Sequence, residues 1–441
     1  MAVQARILIV ARDDALAGPL AEALDALGWR TLTARGPYAA MAALADLPIE
    51  AAIVDVACGG EDAVSLARRL KASCAPRRLP VMAIARDYPD LESHGFDFTL
   101  VAPINASQAV MRLETMVRTA VAEEEFTLRG ETFAERGRRL DPPDSDPGPM
   151  RILAVGEPAP RFLSLSNALA ATGAEVVGAF TAYTAFDYLH ERHFDGVVLW
   201  DGDKPQEALS IAAGMRRNTR LYHIPALLHL GAGAAVSAQE AYDKGISVVV
   251  GLDDSETETA QRVLELARAY RRQSAVRRAL EQARGSGLMD AATGLFTREL
   301  FAAHLIRLAQ ASRARNRPLS VCVLKLSDGP ALAHARAGGF LDRAIPQIGS
   351  MIGRLVRVED TAARLGPEMF ALALPATSLA AGRAAGERIA AVIGCTAFEA
   401  GADRAPFVAS FDVGAAQVHP GESAARALEI AATDASRREA G

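Results

Sequence analysis

The first part of the chain alternates short apolar runs with longer amphipathic stretches. Arg6-Ile-Leu-Ile-Val10 is a run typical of a buried strand, and the helical spacing of apolar residues that follows it ends at Gly28. Further apolar runs occupy 51–54, 79–84 and 98–102, and helical patterns separate them. Strand and helix alternating in this way predict a parallel sheet with helices on both faces.

The same alternation begins again at Arg151-Ile-Leu-Ala-Val155, whose sequence is close to that of the first run. Runs typical of strands follow at 175–179, 196–199, 225–230 and 247–250. The two series therefore indicate an internal duplication. Between them lies a proline-rich stretch over 141–149, which cannot continue a helix and is interpreted as part of a linker.

A single long helix is predicted from residue 256 to about 284, with a thin apolar stripe and an arginine-rich face that includes Arg271. Two interpretations of this helix stay open, a solvated connector and a dimer seam. The predicted organisation is a first domain over 1–125, a linker over 126–149, a second domain over 150–272, a helical connector over 273–286 and a third domain over 287–441.

Composition narrows the range of partners. The 441 residues are 50% apolar and 23% charged, as in ordinary globular proteins, and the net charge is −5. This charge gives no general attraction for DNA or anionic lipid, so any nucleotide contact must come from a local group of arginines. The cysteines have no metal-ligand spacing. Without a signal peptide or an apolar run long enough to enter a membrane, a cytoplasmic protein is expected.

The two alternating series resemble response-regulator receiver domains, which have a flavodoxin-like fold with the site at the carboxyl ends of the strands. The resemblance implies Mg²⁺-binding acids, a phosphoacceptor Asp, a hydroxyl residue and a Lys, because phosphoryl transfer to a carboxylate needs its negative charge neutralised. In the first domain Asp55 stands at the phosphoacceptor position. The other positions read Ala11, Arg12, Ala85 and Ala102. Two readings of Asp55 stay open, a plain strand end and residual phosphorylation with Asp13 reaching the metal.

The second series departs further from a working receiver domain. Trp200 or Asp201 stands at the phosphoacceptor position, depending on a one-residue register. The other positions read Gly156, Glu157, Leu230 and Leu252. We expect this domain to pack against partners, as an adaptor or dimerisation surface, and not to be phosphorylated.

From residue 287 the chain resembles the GGDEF family, the diguanylate cyclases that condense two GTP into cyclic di-GMP. The opening turn over 288–298 matches the family except that Thr297 replaces an Asn, and 363–371 aligns with the signature hairpin. The resemblance implies a palm-like domain with an antiparallel-rich sheet, and a reaction assisted by two metal ions with hard oxygen ligands. The predicted fold class is therefore α/β, two flavodoxin-like receiver domains followed by a GGDEF domain.

The residues that this family uses for catalysis are changed. Lys325 stands where a metal-ligating Asp belongs, and an ammonium group repels Mg²⁺. In the hairpin Pro367 replaces the second Gly, Glu368 keeps one acid and Met369 replaces the other. Ala333 stands at the position of the guanine-reading Asn. We therefore expect no catalytic residues, no bound metal and no cyclase activity.

An Arg-x-x-Asp motif, Arg357 to Asp360, precedes the hairpin, and Arg388 lies at the expected distance after it. In the family this spacing marks an inhibitory site that binds the cyclic product. An arginine fork meets the O6 and N7 acceptors of guanine, and a carboxylate accepts hydrogen bonds from the Watson–Crick N–H groups. The alternative is an exposed i,i+3 ion pair of little energetic value. The position of the motif favours the ligand site.

The residues together favour a non-enzymatic receptor of cyclic di-GMP, without a cofactor, that forms a homodimer and recruits protein partners through its receiver domains. Resemblance to degenerate proteins of the same three-domain order implies an adaptor that gathers at a cell pole and helps deliver cell-cycle regulators to a AAA+ protease. Three alternatives stay open: a weak diguanylate cyclase, a phosphorelay regulator switched at Asp55, and GTP held in the old active site beside Lys325.

Overall fold

A computed structural model describes residues 6–12, 14–57, 62–88, 95–143, 148–200, 205–231, 236–283, 287–400 and 405–438. The chain forms two compact units. The receiver-like unit comprises Gln4–Ala120 and Asp144–Ala275, and the cyclase-like unit consists mainly of Val121–Pro143 and Val276–Gly441. No helix in the described part of the chain has the length and apolar character needed to cross a membrane.

The receiver-like unit contains two five-stranded parallel sheets. The first series is β1 Arg6–Val10, α1 Asp14–Ala26, β2 Arg30–Ala34, α2 Pro37–Asp46, β3 Ile49–Asp55, α3 Ala63–Ser73, β4 Val81–Ala85, β5 Phe98–Val101 and α4 Ala106–Ala134. The second series is β6 Arg151–Val155, α5 Pro160–Ala171, β7 Glu175–Ala179, α6 Ala182–Glu191, β8 Gly196–Trp200, α7 Pro205–Arg217, β9 Ala226–His229, α8 Ala238–Asp243, β10 Val248–Val250 and α9 Glu256–Gln282.

Both sheets have the same strand order, β2-β1-β3-β4-β5 and β7-β6-β8-β9-β10. This is the order of the flavodoxin-like fold, in which the carboxyl ends of the strands carry the site. Strand β3 is central, and all seven of its residues are buried because helices cover both faces of the sheet. The predicted α/β fold class is therefore confirmed.

Local signals explain where several helices begin and end. The side chain of Asp62 accepts hydrogen bonds from the backbone N–H groups of Val64 and Ser65, which caps α3. Gly28, just beyond the end of α1, has a φ of 89°, a left-handed conformation that glycine adopts without steric cost. The helix stop predicted at Gly28 lies at the observed turn.

The linker begins later in the chain than predicted, because α4 extends beyond residue 126. The prediction placed a linker over 126–149, but α4 continues without interruption to Ala134. Its second half is rich in Glu, Ala and Leu, which favour helix, and the chain does not reach a helix-breaking proline until Pro142. The second half of α4 also packs inside the cyclase-like unit, with Phe133 fully buried.

Helix α9 lies where the long helix was predicted. Its arginine-rich face is partly buried and not fully exposed to solvent. The apolar stripe at Val263, Leu266 and Tyr270 is buried, as expected. Arg271, which was assigned to a solvated face, is also buried, and its guanidinium donates to Asp195 and to the backbone oxygen of Pro149. Burial alone would raise the pKa of Asp195, but hydrogen bonds from His193, Arg271 and the backbone hold it well below its usual range.

The cyclase-like unit contains a four-stranded antiparallel sheet, as the resemblance to a palm-like domain predicts. Its elements are α10 Arg298–Ala314, β11 Leu319–Leu326, α11 Pro330–Ala337, α12 Phe340–Leu355, β12 Thr361–Gly366, β13 Met369–Pro375, α13 Leu379–Gly394, β14 Ala397–Phe398, β15 Phe407–Val408, β16 Phe411–Gln417 and α14 Ala424–Arg438. The strand order is β12-β13-β11-β16. Strands β14 and β15 form a separate two-stranded ribbon.

Helix α14 packs unusually close to strand β16. Its inward face carries Ala427, Ala431 and Ala435, all fully buried. A Cβ atom at Gly414 of β16 would lie 1.9 Å from the backbone oxygen of Ala431 and 2.4 Å from the backbone nitrogen of Ala435. Because backbone atoms cannot turn aside as a side chain can, the helix reaches the sheet only where the strand has no side chain.

We expect Gly414→Ala to lower the free energy of unfolding of the cyclase-like unit by about 3 kcal/mol, the range of overpacking a tight core. Urea denaturation measures the change. Gly130→Ala is the matched control, because a Cβ atom there meets nothing within 4 Å inside α4. The control should be neutral or up to about 1 kcal/mol more stable. A Gly414→Ala protein as stable as the wild type would contradict the close approach.

Candidate functional site

The signature hairpin forms despite its altered sequence. Strands β12 and β13 pair antiparallel, and Gly366 faces Met369 across the turn that Pro367 and Glu368 complete. Proline is compatible with the first corner of such a turn because its φ is already set near the value required. The backbone oxygen of Glu368 accepts a hydrogen bond from the N–H of Leu326 on β11, at 3.0 Å. The turn is therefore held against the central strand.

Arg364 connects this hairpin to the opening turn of the domain. Its guanidinium donates to the backbone oxygens of Gly366 and Pro367, both at 3.2 Å, and lies 3.5 Å from a carboxylate oxygen of Asp290. Burial acts to raise the pKa of Asp290, but hydrogen bonds from Thr293 and the charge of Arg364 hold it below its ordinary value. Arg364 thus has a structural task in the hairpin.

The acid kept in the signature is already bound by an arginine. Nε and Nη2 of Arg336, on α11, donate to the two carboxylate oxygens of Glu368 at 2.8 and 2.7 Å. Nη2 also donates to Asp328 at 3.1 Å, in the loop that follows β11. The two-armed geometry is the strongest that arginine and a carboxylate make. A guanidinium therefore occupies the ligand positions that a metal ion would need.

Lys325 lies on β11 beside the same hairpin. It stands directly opposite Met369 on one neighbouring strand and Asp412 on the other. Side chains that face each other across an antiparallel pair are near neighbours, so a cationic side chain lies next to a thioether and a carboxylate. With Lys325 and Arg336 in place, these residues do not fit a divalent cation. The described residues also include no group of three or more His, Cys, Asp or Glu side chains suited to a metal.

Ala333 is exposed on α11, and Arg336 lies one turn further along the same helix. The missing Asn at Ala333 is visible in the sequence, whereas Arg336 was not among the predicted site residues. The spacing of three residues, which places both side chains on one face of α11, is the signal that could have found it. This face of the helix presents a methyl group and a guanidinium beside Glu368.

Arg357 and Arg388 lie close together at the end of α12. Arg357 is exposed in the turn that follows the helix, and Arg388 is exposed on α13. Nη2 of Arg388 donates to the backbone oxygen of Leu355, two residues before Arg357, at 3.3 Å. Two exposed guanidinium groups thus lie on one edge of the domain. The structure brings together the two arginines that the sequence placed in the ligand site.

Asp360 closes the turn that carries Arg357. Its Oδ2 accepts from the backbone N–H of Arg357 at 2.9 Å, and its own N–H donates to the Arg357 oxygen at 3.2 Å. The residue is 8% exposed, and within the described structure its Oδ1 has no hydrogen-bond partner. Burial and the nearby charge of Glu359 raise the pKa of Asp360 to about 7, although its bond to Arg357 acts against the rise.

The motif is therefore not the exposed ion pair that the alternative interpretation required. Asp360 bonds to the backbone of Arg357, and the Arg357 side chain remains at the surface. We name Arg357, Asp360 and Arg388 the clamp. Whether a ligand binds at the clamp stays a prediction.

In the first receiver-like sheet Asp55 ends β3 and is 5% exposed. Its Oδ1 accepts a hydrogen bond from the N–H of Ala57 at 2.9 Å. Ala11 and Ala85, which follow or end the two neighbouring strands, offer no ligand oxygen from their side chains. Asp13, the candidate metal ligand, lies outside the described residues. Phosphorylation of Asp55 therefore stays a prediction.

In the second receiver-like sheet an aromatic stack fills the equivalent place. Trp200 ends β8, and its ring stacks on that of His229 with centroids 3.9 Å apart. Phe162 meets Trp200 edge-on at 6.2 Å. A Cβ atom at Gly156 would lie 2.5 Å from Cβ of Trp200, so this position accepts only glycine. Asp201, the other candidate acceptor, lies outside the described residues.

Comparisons with known proteins agree with this architecture. Residues 287–439 match the family model described as "Diguanylate cyclase, GGDEF domain". The chain is 23% identical over 400 residues to the response regulator PleD of Caulobacter vibrioides, and the match covers 88% of this chain and 86% of PleD. The chain is thus similar to PleD over most of its length, and its C-terminal domain is related to the diguanylate cyclases.

Solved structures match the C-terminal part of the chain. The GGDEF domain of DgcB from Caulobacter crescentus, in complex with cyclic di-GMP, is 22% identical with a TM-score of 0.33, over 35% of this chain and 89% of that one. Diguanylate cyclase SiaD from Pseudomonas aeruginosa, in complex with its activator SiaC, is 22% identical with a TM-score of 0.33, over 41% of this chain and 70% of that one.

We expect Asp360→Asn to stabilise the cyclase-like unit above neutral pH. The pKa of Asp360 is about 7 in the folded protein, against about 4 in an unfolded chain. The folded state therefore binds this proton more tightly, and stability falls as pH rises from about 4 to 7, by up to roughly 1.4 kcal/mol per pH unit. Asp360→Asn has no carboxyl to ionise at this position, so its stability does not fall in this way.

Urea denaturation of both proteins between about pH 5 and pH 8 measures the difference. The advantage of the Asn variant should grow with pH and level off above 7. Asp342→Asn is the matched control, because Asp342 is exposed in the first turn of α12. A stability difference between wild type and Asp360→Asn that is constant with pH would contradict the buried, protonated carboxyl.

Proposed function

We propose that this protein is a non-catalytic receptor of cyclic di-GMP, which it binds at the clamp. The observation that carries the proposal is the pairing of two exposed arginines, Arg357 and Arg388, at one end of α12. A cyclic dinucleotide carries two guanine bases and two phosphates. Its binding therefore requires arginine forks for the base edges and positive charge for the phosphates.

Each clamp residue has a task in this proposal. Arg357 presents its guanidinium to the O6 and N7 acceptors of a guanine, in the two-armed way that this base favours. Arg388 faces a phosphate, since its single bond to the Leu355 oxygen leaves other N–H donors for a ligand. Asp360 fixes the turn, because its Oδ2 accepts from the backbone N–H of Arg357.

The altered signature supports a receptor and not a cyclase. The reaction of the family needs metal ions to neutralise charge on the transferred phosphate. Here Glu368 is bound by Arg336, and Lys325 stands at the other ligand position. Both groups carry a positive charge, which opposes the binding of a metal ion beside them. We infer that the domain recognises the dinucleotide without making it.

The receiver-like domains fit a role in recruitment. Trp200 fills the phosphorylation site of the second one, which leaves its surface for packing against partners. The pattern of altered residues resembles PopA, a degenerate relative of PleD with the same domain order. By that resemblance we propose a homodimeric adaptor, concentrated at a cell pole, that delivers cell-cycle regulators to a protease when cyclic di-GMP is bound.

Calorimetric titration of cyclic di-GMP into the full-length protein tests the clamp. We expect saturable binding by the wild type, and an affinity roughly 5- to 150-fold weaker for Arg357→Gly, because a two-armed arginine–guanine contact contributes about 1–3 kcal/mol. Arg343→Ala is the matched control, since it removes an equal charge near the start of α12. Binding by Arg357→Gly as tight as that of the wild type would overturn the assignment.

A further inference from the structure

A buried polar cluster connects the second half of α4 to the sheet of the cyclase-like unit. Its centre is Glu125, which is 1% exposed. Oε1 of Glu125 accepts from Nη2 of Arg129 at 2.7 Å, from His304 Nε2 at 2.9 Å and from the hydroxyl of Thr361 at 3.0 Å. We name Glu125, Arg129, His304 and Thr361 the α4 cluster. It joins α4, α10 and the first residue of β12.

The charges of this cluster depend on one another. The hydroxyl of Thr132 lies 2.9 Å from the Leu128 oxygen and 3.0 Å from Nδ1 of His304, whose Nε2 lies 2.9 Å from Glu125. Burial acts to raise the pKa of Glu125, but His304 and Arg129 together hold it below its ordinary value. Removing one partner leaves a buried charge uncompensated, which makes the cluster a firm attachment.

The α4 cluster lies next to the clamp. Thr361 follows Asp360 directly in the chain and is 1% exposed. At the other side of the turn, Val358 packs against a buried cluster of Ala122 from α4 with Val276 and Leu280 from α9. The negative charge of Glu125 also contributes to the raised pKa of Asp360. The turn that carries Arg357 is therefore attached to α4 through an apolar contact and through a hydrogen bond.

We propose that α4 is part of the dinucleotide site, with Glu125 as a positioning residue that holds the clamp turn through Thr361. A turn that is already ordered loses less conformational entropy when a ligand binds, so its affinity is higher. The inference rests on the proposed function for the identity of the ligand.

Two variants of the full-length protein separate this role from general stability. Glu125→Gln removes the charge at the centre of the cluster. Thr361→Val removes only the hydroxyl, keeps the shape of the side chain and leaves every charge in place. Glu124→Gln is the matched control, because Glu124 is the next residue of α4 and pairs with Arg315 and Arg317 away from the turn.

Hydrogen exchange without ligand is the first measurement. We expect peptides that cover 357–361 to exchange at least tenfold faster in Glu125→Gln and in Thr361→Val, while peptides from β11 exchange as in the wild type. Glu124→Gln should leave the turn unchanged. Wild-type exchange at 357–361 in Thr361→Val would overturn the positioning role. If Glu125→Gln does not fold, the exchange measured in Thr361→Val still tests the positioning role.

Titration with cyclic di-GMP is the second measurement. Each single variant should bind about tenfold more weakly, and the double variant should be no weaker than the weaker single one, because both changes break the same contact. If the losses of affinity in the two single variants multiply in the double variant, Glu125 does not act through Thr361 and the proposal is wrong. If the wild type binds no cyclic di-GMP, the proposed ligand is wrong, but the exchange result still decides whether α4 orders the turn.

Discussion

Both carboxylate oxygens of Glu368 accept hydrogen bonds from the guanidinium of Arg336. The positive charge of this guanidinium lies against the carboxylate and opposes the binding of a second cation there. The hairpin nevertheless stays closed, since Arg364 and the backbone of β11 hold its turn. The hairpin thus keeps its place in the sheet with Arg336 bound to its one acid.

A second constraint on the structure is the packing of parts of α4 and α9 within the cyclase-like unit. The second half of α4 and the last two turns of α9, from Val276, pack within the cyclase-like unit. Glu125 and Arg129 are buried as an ion pair, and His304 and Thr361 add hydrogen bonds to Oε1 of Glu125. Such a cluster specifies one arrangement of the helix on the sheet. The clamp turn lies next to this cluster, because Thr361 follows Asp360 directly in the chain.

Much of the fold could be predicted from the chain. Buried parallel strands have near-continuous apolar runs, so β1 and β6 were found at their observed positions, and the order of both sheets follows the flavodoxin-like pattern. The antiparallel sheet was predicted from resemblance. The end of α4 was missed because the linker was inferred from the proline-rich segment alone, whereas the burial of Phe133 holds the last turns of the helix in the cyclase-like unit.

The candidate site was predicted less completely. Arg357, Asp360 and Arg388 were identified by their spacing, and the structure brings the two arginines to one edge. The burial of Asp360, the Arg336–Glu368 pair and the stack of Trp200 on His229 depend on contacts between residues far apart in the chain. Local pattern does not specify these contacts, because each needs the fold to bring its partners together.

Incubation of the full-length protein with radiolabelled GTP and Mg²⁺, followed by separation of the nucleotides, tests the central claim that the domain no longer makes its signal. With Arg336 and Lys325 at the metal-ligand positions, the account predicts no labelled cyclic di-GMP above a protein-free blank, even after prolonged incubation at high protein concentration. Labelled cyclic di-GMP that accumulates in proportion to the protein, and that disappears in Glu368→Gln, would contradict it.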